Sequence, residues 1–299
     1  MGQGSNNLYK RIIHSFRGSG DNADKLNQEG YNMKLAIVVN ATPKATPLAA
    51  DMPLQDAIAL ASDIGFDGVE LAIADPLDID VANLTQMLKS YRLEVPALGT
   101  GAAYKEGLSL AHPDAAGRAG AIERLKAHVD LGAVFGADII VGLIRGKMSD
   151  GLPYAEAINY IKKGLSELST YAKSKNVRVL LEPINRYEID LLNTIEDSYS
   201  IASALDDNVG LLIDTFHMNI EESSLTEPIR KAHDRIWHVH IADNIRWAPG
   251  FGCLDFPRVV RALHDIGYKG YLSAEMMHMP DHETAFKQTF KYMAPLITA

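Results

Sequence analysis

The sequence predicts a (β/α)8 barrel of the TIM type, and three observations carry the prediction. Eight β-branched and aliphatic runs alternate strictly with eight helix-type segments between Lys34 and Leu296, the order in which parallel strands and crossover helices build such a barrel. Four consecutive strands end in a side chain able to bind a cation: Glu182, Asp214, His240 and Glu275. Strand parity then puts Leu180, Leu212, His238 and Ser273 on the faces that carry those four, and Val179, Leu181, Leu211, Ile213, Trp237, Val239, Leu272 and Ala274 on the opposite ones. An apolar outer face, with an inner face polar only toward the strand tips, suits a barrel wrapped in helices.

Taken in order, KLAIVVN is the first strand, and Leu54 to Ile64 is an apolar-periodic helix stopped by Gly65. DGVELAI is the second strand, Asp80 to Tyr91 the second helix and EVPALGT the third strand. A glycine-rich loop containing Tyr104 leads to a long helix, His112 to Phe135, ended by Gly136, and ADIIVGLIR reads as the fourth strand. Tyr154 to Lys175 is a helix because Ile158, Ile161, Leu165 and Leu168 recur at three- and four-residue spacing. VRVLLEPINRYE opens as the fifth strand and is cut off at Pro183, which cannot donate to a sheet ladder. Thr194 to Leu205, VGLLID, Leu225 to His233 and RIWHVHIAD continue the alternation. The Pro- and Gly-containing loop DNIRWAPGFGCLDF, helix Phe256 to Ile266, strand GYLSAE and helix Glu283 to Leu296 complete it.

The chain of 299 residues, 47% hydrophobic and 22% charged, suits one large core, so residues 33–299 are expected to form a single catalytic domain. The first 32 residues are polar and rich in Gly and Asn, and are expected to be a disordered extension, with Met33 directly before the first strand. A net charge of −9 argues against a phosphate-backbone partner, so no nucleic acid is expected. No apolar run reaches the roughly 18 residues that span a bilayer. One cysteine, Cys253, excludes an intramolecular disulfide framework and fits a reducing compartment, so a cytoplasmic location is expected.

At the C-terminal mouth of such a barrel, strand ends distant in sequence converge. Two Glu, one Asp and one His are hard oxygen donors plus one imidazole, a set suited to Mn²⁺, Mg²⁺, Co²⁺ or Zn²⁺. Taken alone, each could be a helix cap or an ion-pair partner. Equivalent positions on four successive strands favour the metal.

The segments EPINRYE, DTFHMNIEE, HVHIADNIRWAPGFGCLDF and SAEM resemble those of the ketose 3-epimerases, the D-tagatose and D-psicose 3-epimerase group of the xylose-isomerase-like barrels. The likeness runs from Met33 to about Lys291. ALGTGAAYKEGLSLAHP and GADIIVGLIRG are most similar to the 5-keto-L-gluconate epimerases of inositol catabolism. The resemblance implies one divalent ion, Mn²⁺ first, on Glu182, Asp214, His240 and Glu275. It also implies substrate contacts at Glu188, His217 and Arg246, a keto-sugar or keto-sugar acid substrate, and a homo-oligomer. The implied reaction inverts the carbon next to a ketone through an enediolate, with Glu182 and Glu275 as the opposed acid and base.

Arg145, expected at the end of the fourth strand, could fork onto a substrate carboxylate, or could pair with Asp75 or Glu106. His238 is expected to be a core histidine or to stand behind the ligands, Glu70 to be an interior structural residue or else to line the cavity, and Tyr104 and Trp247 to wall the pocket or an oligomer interface. The competing activity is an aldose–ketose isomerase of the hydroxypyruvate isomerase type. An endonuclease-like barrel would need more ligands and a basic groove, and a catalytically silent binding module is the third alternative.

Overall fold

A computed structural model describes residues 33–43 and 45–298; the expected disordered extension at 1–32 lies outside the described residues. Eight parallel strands close in sequence order: β1 (Lys34–Asn40), β2 (Gly68–Ala72), β3 (Ala97–Gly99), β4 (Asp138–Val141), β5 (Val179–Leu181), β6 (Val209–Asp214), β7 (Ile236–Ile241) and β8 (Tyr271–Ala274), with β8 paired to β1. The barrel class is therefore as predicted.

Parity places the apolar residues as expected on most strands. Val179, Leu181, Leu211, Ile213, Val239, Ile241, Leu272 and Ala274 join the large cluster under the surrounding helices, while Ala97, Ile140, Leu180 and Leu212 form a separate cluster within the barrel. Trp237 is the exception. Leu211 pairs with Ile236 but Leu212 with His238, so Trp237 is the extra residue of a β-bulge and packs against the inner cluster, not on the outer face. One inserted residue reverses the side-chain alternation beyond it. Gly210 makes room for the ring, since a Cβ there would lie 2.3 Å from it.

Four local differences from the sequence reading matter. The long helix begins at Ala115, not His112, because the residue before Pro113 is disfavoured in helical conformation. The Tyr104 loop contains a short helix, Ala102–Lys105, and a second unforeseen helix, Thr215–Glu221, follows β6 directly. The fourth strand stops at Val141. Gly142 turns the chain at φ −96°, ψ −111°, and Leu143–Arg145 is a 3-10 turn.

Candidate active site

The four strand-end residues meet at the C-terminal rim. Glu182 and Glu275 immediately follow β5 and β8, Asp214 ends β6 and His240 lies near the end of β7. One donor atom from each lies within 4.8 Å of all the others. His240 Nδ1 is 3.9 Å from Glu182 Oε1 and 3.7 Å from Glu275 Oε2. Asp214 also caps the helix after it, Oδ1 accepting from Phe216 N at 2.7 Å. Its Oδ2 and the Nδ1 of His240 are buried with no hydrogen-bond partner among the described residues. Gly142 permits this crowding, because a Cβ there would come within 2.4 Å of Glu182 Oε2.

Three carboxylates at such spacing repel. Burial, reinforced by Glu275 and Asp214 and opposed by His240 and Arg145, pushes Glu182 up to about 8. Burial likewise raises Asp214 to about 6, against the pull of Arg246 and His240. For Glu275 burial is outweighed by His240 and Arg246, which hold it below the usual carboxylate range. Unpartnered buried polar atoms are costly, and a divalent cation would satisfy both orphaned donors and the excess negative charge together. The donor set, oxygen-rich with one imidazole, fits such an ion.

Beside this cluster stands a second group. Arg246, in the left-handed region at φ 59°, donates to Glu188 Oε1 at 2.5 Å and to Glu275 Oε2 at 3.0 Å and stacks 4.7 Å from the centre of the Phe216 ring. Asn185 Nδ2 donates to Glu188 Oε1 at 2.9 Å and contacts His217 Nδ1 at 2.7 Å. With Nδ1 accepting, the proton of His217 sits on Nε2, 3.8 Å from Glu182 Oε1 and 3.7 Å from Asp214 Oδ2. Burial and Arg246 hold His217 well below its ordinary pKa, so it stays neutral. Glu182, Glu188, His217, His240, Arg246 and Glu275 line a cavity of about 180 Å³.

Arg145 is not brought to the cavity. Its side chain is fully buried, and its guanidinium donates to the main-chain carbonyls of Gly142, Glu182, Leu191 and Leu192 at 2.6 to 3.3 Å. Neither expected role survives: Asp75 and Glu106 are paired with Arg124 instead. Arg145 braces the backbone that carries Glu182. Tyr104 donates to Asp150 at 2.8 Å and Trp247 packs edge-on to Phe251, and neither is among the residues lining the cavity. Cys253 is exposed and unpaired.

Two residues with contacts at the site were not foreseen as partners of its side chains. Asn185, inside EPINRYE, links Glu188 to His217. Glu70 on β2 accepts from His240 Nε2 at 2.9 and 3.0 Å and from His238 Nε2 at 2.8 Å. The available signal for Glu70 was an acid between apolar neighbours in GVELA, a buried charge that requires partners.

Residues 58–296 match the Xylose isomerase-like TIM barrel family. The L-ribulose 3-epimerase of Methylomonas sp. (strain DH-1) is 33% identical over 224 residues, covering 73% of this chain and 77% of that protein. The 3-dehydro-D-guloside 4-epimerase of Escherichia coli (strain K12) is 34% identical over 136 residues, 44% of this chain and 52% of that one. Among solved structures, D-allulose 3-epimerase from Methylomonas sp. in complex with D-allulose superposes with a TM-score of 0.76 at 25% identity, covering 89% of this chain and 97% of that one. The order of the barrel strands and the extent of these matches agree: the chain belongs to the Xylose isomerase-like TIM barrel family and is an isomerase, a relative of the ketose 3-epimerases.

Proposed function

We propose that the chain inverts the carbon adjacent to the ketone of a keto-sugar, with a divalent cation held by Glu182, Asp214, His240 and Glu275. The observation that carries this reading is the convergence of those four donors, with Asp214 Oδ2 and His240 Nδ1 buried and lacking a hydrogen-bond partner among the described residues. When bound, the cation would act as a Lewis acid toward the carbonyl and neighbouring hydroxyl oxygens and acidify the α-carbon. Glu182 and Glu275 come from strands separated by β6 and β7, so their carboxyls approach a substrate from two sides. One removes the α-proton, leaving an enediolate, and the other protonates the opposite face; the roles exchange in the reverse direction. The Nε2–H of His217 and the guanidinium of Arg246 stabilise the enediolate oxygens. Glu188 holds Arg246 in place, and Asn185 fixes the tautomer of His217.

The relatives named for L-ribulose and D-psicose support a ketose substrate. With Arg145 enclosed in main-chain carbonyls, it gives no preference for an acid. NMR of the metal-loaded protein in D₂O, with a panel of ketoses and keto-uronates, tests the assignment. Deuterium entering at the carbon beyond the ketone, with formation of the epimer, is the expected result. Label at C1 instead would establish an aldose–ketose isomerase.

A further inference from the structure

The interior below the rim contains a carboxylate that the proposed chemistry does not use. Glu70 is 1% exposed and reaches across the barrel from β2 to β7, where it accepts hydrogen bonds from two histidines of successive inward-facing positions. The Nε2 of His238 lies 2.8 Å from its Oε2, and the Nε2 of His240 lies 2.9 and 3.0 Å from its two oxygens. The two rings stand edge to face with centroids 5.4 Å apart. These are hydrogen-bond lengths, which account for both Nε2 atoms without an ion between them.

Each contact leaves a proton on Nε2. The other nitrogen of His240, Nδ1, faces the rim 3.7 Å from Glu275 Oε2 and 3.9 Å from Glu182 Oε1, and among the described residues no group hydrogen-bonds to it. We infer that Glu70 is a positioning residue: by holding the Nε2 proton of His240 it makes Nδ1 the nitrogen that meets the cation and fixes the plane of the ring. The inference rests on the metal reading above and deepens it. A carboxylate behind a ligating imidazole also raises the basicity of the free nitrogen. His238 donates to the same carboxylate, at Oε2, while His240 reaches both of its oxygens.

The requirement for a carboxylate is specific. A glutamine at position 70 replaces one of the two accepting oxygens with a donating nitrogen. In place of Oε1 that nitrogen meets the Nε2–H of His240, and in place of Oε2 it meets the Nε2–H of both histidines. In either orientation a donor faces the Nε2 proton of His240 and favours the tautomer protonated on Nδ1, where the proton would point into the cluster and block the ion.

Mn²⁺ titration of the full-length protein, followed by calorimetry, is the direct test. Glu70→Gln is expected to weaken Mn²⁺ binding by about 10- to 100-fold, with His238→Asn, which leaves the contact to His240 intact, changing it by less than about 3-fold. Wild-type affinity in Glu70→Gln, or an equal loss in both variants, would overturn the inference. If Glu70→Gln does not fold, ¹⁵N-histidine NMR of the Zn²⁺-loaded wild-type protein decides it: a protonated Nε2 and a metal-shifted Nδ1 on His240 are expected, and the reverse assignment refutes it. A wild-type protein that takes up neither ion overturns the metal reading itself, and this inference with it.

Discussion

The two ends of the barrel handle their acidic groups in opposite ways. At the N-terminal end every acid in the groove has a cation beside it. Arg178 forks onto Asp138, Nε to Oδ1 at 2.9 Å and Nη2 to Oδ2 at 2.6 Å, with the Trp237 ring 5.1 Å from its guanidinium. Glu94 receives Lys34 at 2.8 Å and the Tyr271 hydroxyl at 2.6 Å. At the C-terminal end Glu182, Asp214 and Glu275 crowd together instead, with Asp214 Oδ2 and His240 Nδ1 lacking a hydrogen-bond partner among the described residues. The groove at the N-terminal end is the larger, about 470 Å³ against about 180 Å³. Volume therefore does not identify the site; unresolved electrostatics does, because strained charge is kept where a ligand relieves it.

The largest expected effect comes from removing a carboxylate at the rim. Glu182→Gln and Glu275→Gln should each lower kcat by about 10²- to 10⁴-fold, the usual contribution of an acid or base, as read by epimer formation on a ketose. A loss below tenfold in both would detach the chemistry from this pair.

The contrast sharpens with pH. In the metal-free protein Glu182 is raised to about 8 and Asp214 to about 6, so over that range the folded state holds protons that the unfolded chain has released. Stability from Glu182 is then present at low pH and lost as pH rises through about 8. A cation competes with those protons, so its affinity should rise with pH over the same window. Thermal melts with and without Mn²⁺ should show a Tm gain that grows from pH 6 to pH 8. A gain independent of pH would mean that the ion does not displace these protons.

How much of this was legible in the sequence varies residue by residue. The four rim residues were readable because each ends a β-branched run and parity points it inward. Arg145 was misplaced because ADIIVGLIR is apolar almost throughout, and only the backbone torsions of Gly142 reveal that the strand ends before it. His217 was assigned from resemblance, since the helix that carries it is only seven residues long and is capped by a residue already counted as the end of a strand. Trp237 was put on the wrong face because a bulge leaves no mark in local composition. Glu70 could be placed inside but not explained, since its partners are 168 and 170 residues away.

At the opposite end, Arg178→Ala leaves Asp138 buried without its cation, and should cost about 1–3 kcal/mol of stability in denaturant titration, with kcat within about twofold. A large activity loss there would erase the division between the two ends. The smallest effect belongs to Lys34→Met, which removes a half-exposed partner of the exposed Glu94 and should change stability by less than about 1 kcal/mol.

Anomalous diffraction from crystals soaked in Mn²⁺ tests the central claim most directly. One peak is predicted, bounded by Glu182, Asp214, His240 and Glu275. A peak among Glu70, His238 and His240, the second group whose geometry admits an ion, or no peak at the rim at all, would contradict it.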